Sequence, residues 1–175
     1  AAVIPDDTVI VDDSVTTRAA VVGAIEFNRP GQVFGERGGA IGWGIGGGMG
    51  AKLANPDKPV IAILGDGSAM MTVQGYYTAA VENIPIIYII CNNEAYRVLK
   101  VNMDVYKSLV VGQNPPQSKY MAMDFPQRLD HAALARAMGV YGVRIEDPAQ
   151  IGPELTKALA SGKPAVLDVV IDGAL

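Results

Sequence analysis

Short apolar runs alternate along the chain with longer stretches in which apolar and polar residues recur at helical spacing. The apolar runs are rich in β-branched residues and predict strands at residues 8–11, 59–64, 84–90, 140–145 and 165–171. The stretches between them predict helices at residues 16–26, 42–53, 73–82, 130–138 and 151–161. Strands and helices that alternate in this way are typical of βαβ units and a parallel sheet.

Several of the predicted strands are apolar nearly throughout, as expected where helices cover both faces of a sheet. We therefore predict an α/β fold of three layers, a mostly parallel sheet of about five or six strands with helices on both faces. The segment from Glu94 to Asp124 ends in a Pro pair and polar residues, and we predict a long loop there. Long loops in compact domains are usually functional or mobile.

The composition fits one folded domain, residues 1–175, because half of the residues are hydrophobic and only 18% are charged. The chain has no initiator Met and enters a strand pattern almost at once, so we expect a piece of a longer protein. The net charge of −4 gives no basic surface for nucleic acid. The longest apolar run, Ile84 to Cys91, is too short to cross a membrane. We expect a soluble, cytoplasmic protein whose single cysteine, Cys91, is a buried thiol.

Two polar residues follow two of the predicted strands, each at the point where the strand ends. Asp66 comes after the strand at 59–64 and Asn93 after the strand at 84–90. Neighbouring strands lie about 4.8 Å apart, so both side chains can reach one small cation if the strands are adjacent. Carboxylate and amide oxygens suit Mg²⁺, which completes its shell with water and phosphate.

The residues around Asp66 also suit a phosphate. Gly65 and Gly67 allow a tight turn and a close approach of the backbone, and Ser68 begins a helix whose free N–H groups attract anions. Asp66, Gly67, Ser68 and Asn93 together predict a site for a metal ion and a diphosphate.

A rival pattern lies in the glycine-rich segment upstream. Gly42, Gly44 and Gly47 form a G-x-G-x-x-G sequence, which is found in NAD-dependent dehydrogenases when it follows a strand. The preceding residues, "FGERGGAI", are charged and interrupted by glycines. The dinucleotide interpretation is therefore the weaker one, and a non-catalytic nucleotide-binding module is a further alternative.

"GDGS" at 65–68, followed by the second Asn of "NN" at 92–93, resembles the motif of thiamine-diphosphate-dependent enzymes, and the resemblance covers essentially the whole chain. It resembles the diphosphate-binding domain of the benzoylformate decarboxylase and acetolactate synthase group. The resemblance implies thiamine diphosphate and Mg²⁺ as cofactors. It also implies that Asp66, Asn93 and the backbone carbonyl of Ala95 hold the metal.

Further cofactor contacts are implied by the same resemblance. Gly39 and Ile41, in "GGAIGWG", match the segment beneath the cofactor, with Ile41 as the wedge between its two rings. Tyr96 matches an aromatic residue of the decarboxylases. Ser14 and Thr16 follow the first strand and could bind the diphosphate, although helix capping explains their hydroxyls equally well.

The family's chemistry implies that the cofactor's ylid carbon attacks a 2-oxo acid, which then loses carbon dioxide. We favour a decarboxylase, with an acetolactate synthase-like carboligase as the alternative. The activating glutamate of the family comes from another domain, usually in a second subunit, and no glutamate of this chain lies in a matching motif. We therefore expect half an active site in a homo-oligomer and assign no catalytic residue.

Two charged residues beside the metal-binding loop depart from the family pattern. Glu94 and Arg97 could pair with each other as a solvated ion pair, and Arg97 could instead meet a substrate carboxylate. The single histidine, His131, lies on a predicted helix and is interpreted as a surface or packing residue.

Overall fold

A computed structural model describes residues 2–35, 39–113 and 120–173. Its centre is a six-stranded sheet in the order β2-β1-β3-β4-β6-β5, and all five strand pairings are parallel. The strands are β1 (Val9–Asp13), β2 (Val33–Gly35), β3 (Val60–Gly65), β4 (Ile87–Asn92), β5 (Tyr141–Ile145) and β6 (Ala165–Val170). The predicted parallel α/β fold is confirmed.

Helices join the strands in the described part of the chain. They are α1 (Arg18–Ala24), α2 (Gly44–Ala54), α3 (Asp66–Met70), α4 (Gly75–Val81), α5 (Arg97–Tyr106), α6 (His131–Ala137) and α7 (Ile151–Ser161). A π-helical turn, Lys107–Val111, extends α5, and a 3-10 turn, Pro148–Gln150, precedes α7.

Alternate residues along the central strands belong to two separate apolar cores. In β3, Val60, Ala62 and Leu64 pack into one core with residues of α2 and α4. Ile61 and Ile63 pack into the other core, with residues of α7. Since successive strand side chains point to opposite faces, the sheet is the middle layer of three, as predicted.

Two predictions of secondary structure need correction. The sequence missed β2, a three-residue edge strand whose residues are all exposed, because it carries no buried face to mark it. The predicted loop from Glu94 to Asp124 is wrong for its first half, which forms α5. Residues 114–119 of that prediction, including the Pro pair, lie outside the described residues.

Helix α5 escaped prediction because its amphipathic character is inverted. Its inward side carries Lys100, which is buried and pairs with Asp124, and Asp104, which accepts a hydrogen bond from Tyr120. Three of its large apolar residues, Leu99, Val105 and Tyr106, are exposed instead. An apolar stripe normally marks the buried face of a helix, and here the stripe faces outward.

None of the helices in the described ranges combines the length and the apolar composition that a membrane span requires.

Candidate active site

The carboxyl ends of β1, β3 and β4 lie side by side and open into one pocket, because β1 pairs with β3 and β3 with β4. The pocket encloses about 480 Å³ of space that is continuous with solvent. Its lining comes from four segments: Asp13 and Val15–Thr17, Ile41, Gly65–Ser68, and Cys91, Asn93 and Ala95–Val98. Ligands of open α/β sheets bind at this edge.

Asp66 is the first residue after β3 and is buried. Its Oδ1 accepts a hydrogen bond from the Gly67 N–H at 2.8 Å, and its Oδ2 accepts one from the Glu94 N–H at 2.7 Å. Burial raises the pKa of Asp66 to about 6, although these N–H groups act to lower it. The two hydrogen bonds therefore offset only part of the cost of burying the negative charge of Asp66, which favours binding of a proton or of a nearby cation.

The two asparagines that end β4 have separate surroundings. Asn93 lines the pocket, and its Oδ1 accepts a hydrogen bond from the Ala95 N–H at 3.0 Å. Asn92 is fully buried, and its Nδ2 donates to Asp168 Oδ1 at 2.8 Å and to the Leu129 carbonyl at 2.9 Å. The second asparagine therefore faces the site, and the first anchors the loop.

Between the asparagines and Ala95, Glu94 has a positive φ of 57°, a conformation that costs a side-chain-bearing residue free energy. Glu94 Oε1 accepts hydrogen bonds from Arg128 at 3.0 Å and from Arg144 at 3.4 Å. Arg144 also pairs with the buried Asp168. The glutamate that sequence reasoning considered as a partner of Arg97 thus bonds two arginines from further along the chain.

The glycine segment is held at the pocket by Asp13, the last residue of β1. Asp13 Oδ2 accepts hydrogen bonds from the Gly42 N–H at 3.0 Å, the Gly44 N–H at 2.9 Å and the Ser68 hydroxyl at 2.6 Å. Burial raises the pKa of Asp13. Ile41, next to Gly42, is partly exposed and lines the pocket.

The two residues after β1 that were predicted to bind the diphosphate have different positions in the structure. Thr16 lines the pocket. Ser14 is fully buried outside the lining, and both its N–H and its hydroxyl donate to Asp12 Oδ1. The N-cap residue of α1 is Thr17, which makes no side-chain capping bond. The structure therefore does not support the capping alternative for this helix.

The remaining predicted residues lie as follows. Gly67, Ser68 and Ala95 line the pocket, as does Tyr96, whereas Gly39 lies outside the lining. Tyr96 packs edge-on against Phe125 with ring centroids 4.8 Å apart. A Cβ at Gly67 would come within 2.5 Å of the Tyr96 ring, so Gly67 permits the close packing of this aromatic residue.

Sequence reasoning missed Asp13 and Val98 as lining residues and assigned Arg97 no definite place. All three belong to the pocket. Asp13 could have been found by the rule that identified Asp66, since both follow a buried apolar strand. Cys91, expected to be a buried thiol, is half-buried at the pocket, where burial raises its pKa. His131 is fully buried, which confirms the packing interpretation over the surface one.

No set of three or more His, Cys, Asp and Glu side chains is grouped for metal binding in the described part of the chain. A ligand set of one carboxylate, one amide and one carbonyl is a different arrangement, and Asp66, Asn93 and Ala95 offer it in one pocket. Residues 39–41, directly before the G-x-G-x-x-G glycines, are not in a strand, which weakens the dinucleotide interpretation because that motif needs a strand immediately before it.

Comparisons with known proteins identify the family of the chain. Residues 14–169 match the family model described as the thiamine pyrophosphate enzyme, C-terminal TPP binding domain. The benzoylformate decarboxylase of Pseudomonas aeruginosa is 32% identical over 96% of this chain and 30% of its own length. The acetolactate synthase large subunit of Parasynechococcus marenigrum is 33% identical over 75% of this chain and 21% of its own length.

A solved structure, the thiamine diphosphate-dependent 4-hydroxybenzoylformate decarboxylase of Rhodococcus jostii RHA1, superposes with a TM-score of 0.85. It is 30% identical, over 98% of this chain and 31% of its own. The chain thus spans between about a fifth and a third of the length of these relatives. It belongs to the thiamine pyrophosphate enzymes and corresponds to their C-terminal TPP-binding domain.

Proposed function

We propose that the pocket binds thiamine diphosphate together with Mg²⁺ and that the chain is the cofactor-binding half of a 2-oxo acid decarboxylase similar to benzoylformate decarboxylase. One observation carries this proposal. Asp66 and Asn93 lie 27 positions apart in the sequence, yet they line one pocket at the ends of the adjacent strands β3 and β4.

The donor set fits a small hard cation. Asp66 would supply a carboxylate oxygen, Asn93 its amide oxygen and Ala95 its backbone carbonyl, and Mg²⁺ takes oxygen ligands of this kind alongside phosphate. The raised pKa of Asp66 supports the assignment, because a cation would offset the buried charge. Mg²⁺ would also neutralise the diphosphate that it anchors.

The diphosphate would lie between the residues that follow β1 and β3. Thr16 offers a hydroxyl to the pocket. The Ser68 hydroxyl is engaged with Asp13 and Gly42, so Ser68 would contribute its backbone N–H. Ile41, which is exposed in the pocket lining, would contact the rings.

Bound thiamine diphosphate supplies the electron sink that a decarboxylation requires. This chain's residues would bind and orient it, and none of the described lining residues is a glutamate; Glu36 lies outside the described ranges. We therefore propose that the activating glutamate comes from another domain, in a second subunit.

The outward apolar face of α5 supports a partner domain. Leu109 and Val110, in the π-helical turn that extends α5, are 81% and 69% exposed, and Val105 and Tyr106 are also exposed. Clustered exposed apolar residues are typical of interaction surfaces. The relatives are at least three times longer than this chain, so a second copy of the full-length protein is the proposed occupant.

The alternative outcome of the same chemistry is carboligation, since the acetolactate synthase relative is as similar in sequence as the decarboxylase. The structural match to 4-hydroxybenzoylformate decarboxylase over nearly the whole chain favours decarboxylation. Product analysis of the full-length protein would separate the two: an aldehyde indicates a decarboxylase, and a 2-hydroxy ketone or 2-hydroxy-2-methyl-3-oxo acid indicates a carboligase.

Cofactor binding is tested by thermal melting of the 175-residue chain with thiamine diphosphate plus Mg²⁺. We expect a rise in Tm that requires both components and that disappears in Asp66→Ala. Thiamine without its diphosphate and NADH are the controls, and neither should raise the Tm. A shift with NADH, or an equal shift in Asp66→Ala, would contradict the proposal.

The half-site proposal has its own assay. The chain is incubated with thiamine diphosphate, Mg²⁺ and a series of aromatic and aliphatic 2-oxo acids, and carbon dioxide release is measured. We expect no turnover from the chain alone and turnover from the full-length protein. Robust turnover by the chain alone would show that its own residues complete the site.

A further inference from the structure

Asp13 makes contacts that none of the cofactor assignments above explains. It is 1% exposed, and its Oδ2 accepts three hydrogen bonds, from the N–H groups of Gly42 and Gly44 and from the Ser68 hydroxyl. Its Oδ1 is buried and has no partner among the described residues. All of the hydrogen bonding described for this carboxylate therefore runs through one oxygen.

These three donors belong to two different parts of the pocket. Gly42 and Gly44 follow Ile41, the proposed wedge between the cofactor rings. Ser68 belongs to the "GDGS" turn, the proposed diphosphate cradle. The Gly42 N–H also donates to the Ser68 hydroxyl, at 2.8 Å, so one carboxylate oxygen and one hydroxyl join the two parts directly.

The backbone around Gly44 is shaped for this contact. A Cβ at Gly44 would lie 2.6 Å from Asp13 Cβ and 2.8 Å from Leu64 Cδ2, closer than real Cβ contacts allow. Glycine therefore lets the start of α2 approach the carboxylate. The opposite side of Gly42 is fixed as well, because its carbonyl accepts a hydrogen bond from the Thr72 hydroxyl at 2.7 Å.

We propose that Asp13 is a positioning residue that sets the glycine segment, and with it Ile41, at a fixed distance from the diphosphate cradle, so that rings and diphosphate are bound together. This inference rests on the proposed binding of thiamine diphosphate. It predicts that Asp13 contributes to binding of the rings far more than to binding of the diphosphate, since the carboxylate holds the glycine segment and the cradle keeps its own backbone.

The test compares two ligands on the 175-residue chain by calorimetry, thiamine diphosphate and inorganic pyrophosphate, each with Mg²⁺. The affinity of thiamine diphosphate relative to pyrophosphate reports the contacts that its rings make. In Asp13→Ala we expect this ratio to fall roughly tenfold to 100-fold, the size expected from loss of hydrogen bonds to a charged group. Pyrophosphate affinity should change less than about threefold, whereas general loosening of the fold would weaken both ligands equally.

Three further variants separate positioning from folding. Asp13→Asn keeps an oxygen that can accept the same three hydrogen bonds, so it should restore most of the affinity ratio. Gly44→Ala leaves the carboxylate intact but forces α2 away from it, so it should reproduce the loss. Gly46→Ala is the matched control on the same helix, because a Cβ there meets no atom within 4 Å, and its ratio should equal that of the wild type.

The outcomes distinguish this inference from the function on which it rests. A wild-type chain that binds neither ligand with Mg²⁺ overturns the proposed function, and this inference with it. A wild-type chain that binds both, combined with an unchanged ratio in Asp13→Ala and Gly44→Ala, overturns the positioning role alone. If Asp13→Ala does not fold, Gly44→Ala and Asp13→Asn decide the matter by the same ratio.

Discussion

At the pocket, two strands each end in a pair of adjacent, chemically alike residues. In both pairs the two residues have different roles. At the end of β4, Asn92 turns inward to Asp168 and Asn93 lines the pocket. At the end of β1, Asp12 bonds Ser14 and Arg18 within its own loop, while Asp13 reaches the glycine segment. Because successive strand residues point to opposite faces, one member of each pair fixes the loop and the other serves the site.

The largest expected effect tests the asparagine pair. Asn93→Ala removes a proposed metal ligand and should weaken binding of thiamine diphosphate with Mg²⁺ by roughly 100-fold or more, with little change in stability. Asn92→Ala leaves Asp168 short of a buried partner and should lower the free energy of unfolding by about 1–3 kcal/mol, while affinity stays within about threefold. Calorimetry and urea denaturation measure the two quantities. Equal losses of cofactor affinity in the two variants would contradict the assignment of different roles to Asn92 and Asn93.

The next effect concerns Asp66, because burial raises its folded-state pKa from an ordinary 3.8 to about 6. The folded chain therefore holds this proton more tightly than the unfolded chain does, and the metal-free protein should lose stability as pH rises from about 4 to about 6. Asp66→Asn removes this loss. The Asn side chain can accept only one of the two backbone hydrogen bonds that Asp66 accepts, so its stability in EDTA should be offset from that of the wild type but nearly independent of pH. Between pH 4 and pH 6 the wild type should lose about 1–3 kcal/mol relative to it, and the variant should not bind the cofactor.

Urea denaturation of both proteins from pH 4 to 8 supplies the measurement, and the difference between them isolates Asp66 from Asp13, whose pKa burial also raises. Cofactor affinity of the wild type should fall below about pH 6, since protons then compete with the metal. A stability difference that does not vary with pH would refute the assignment.

A smaller effect is expected at Glu94, which lies between the asparagines and the carbonyl of Ala95, the proposed metal ligand, and has a positive φ. Glu94→Ala and Glu94→Gly both lose the ion pairs to Arg128 and Arg144, but only glycine relieves the backbone. The glycine variant should therefore be more stable than the alanine variant by about 1 kcal/mol. Urea denaturation of the two variants provides the check, and equal stabilities would show that the backbone conformation carries no strain.

The smallest effect is expected at Asp12, the loop-fixing member of the β1 pair. Asp12→Asn weakens the pair with Arg18, in which the arginine side chain is 38% exposed and the aspartate side chain only 3% exposed, and should cost about 1 kcal/mol of stability. Its ratio of thiamine diphosphate to pyrophosphate affinity should match that of the wild type, in contrast to Asp13→Ala. A fall in the ratio as large as that of Asp13→Ala would place both aspartates in the site.

The sequence predicted those features that have a local signature. Apolar runs marked the buried strands, and polar residues directly after them marked Asp66 and Asn93. Helix α5 had no such signature, because Lys100 and Asp104 on its inward side find their partners in Asp124 and Tyr120, outside the helix. Edge strand β2 is exposed throughout, so no burial pattern distinguishes it from a loop.

The limits at the site have a similar cause. Asp13 accepts hydrogen bonds from backbone N–H groups 29 and 31 positions away. Because nearly every residue type has a backbone N–H group, such a contact produces no sequence motif. The split between Ser14 and Thr16 depends on which hydroxyl the local turn directs to Asp12, a detail of three-dimensional geometry. Motif spacing therefore identified the proposed metal ligands more readily than it identified the residues that hold the pocket together.

The close approach of Gly44 to Asp13 makes positions 13 and 44 interdependent. A longer acid at position 13, or any side chain at position 44, would compete for one small volume between β1 and α2. In a library randomised at both positions and selected for cofactor binding, we expect the surviving pairs to be correlated, with bulk at one position matched by its loss at the other. Engineering of either position therefore requires that both codons be altered together.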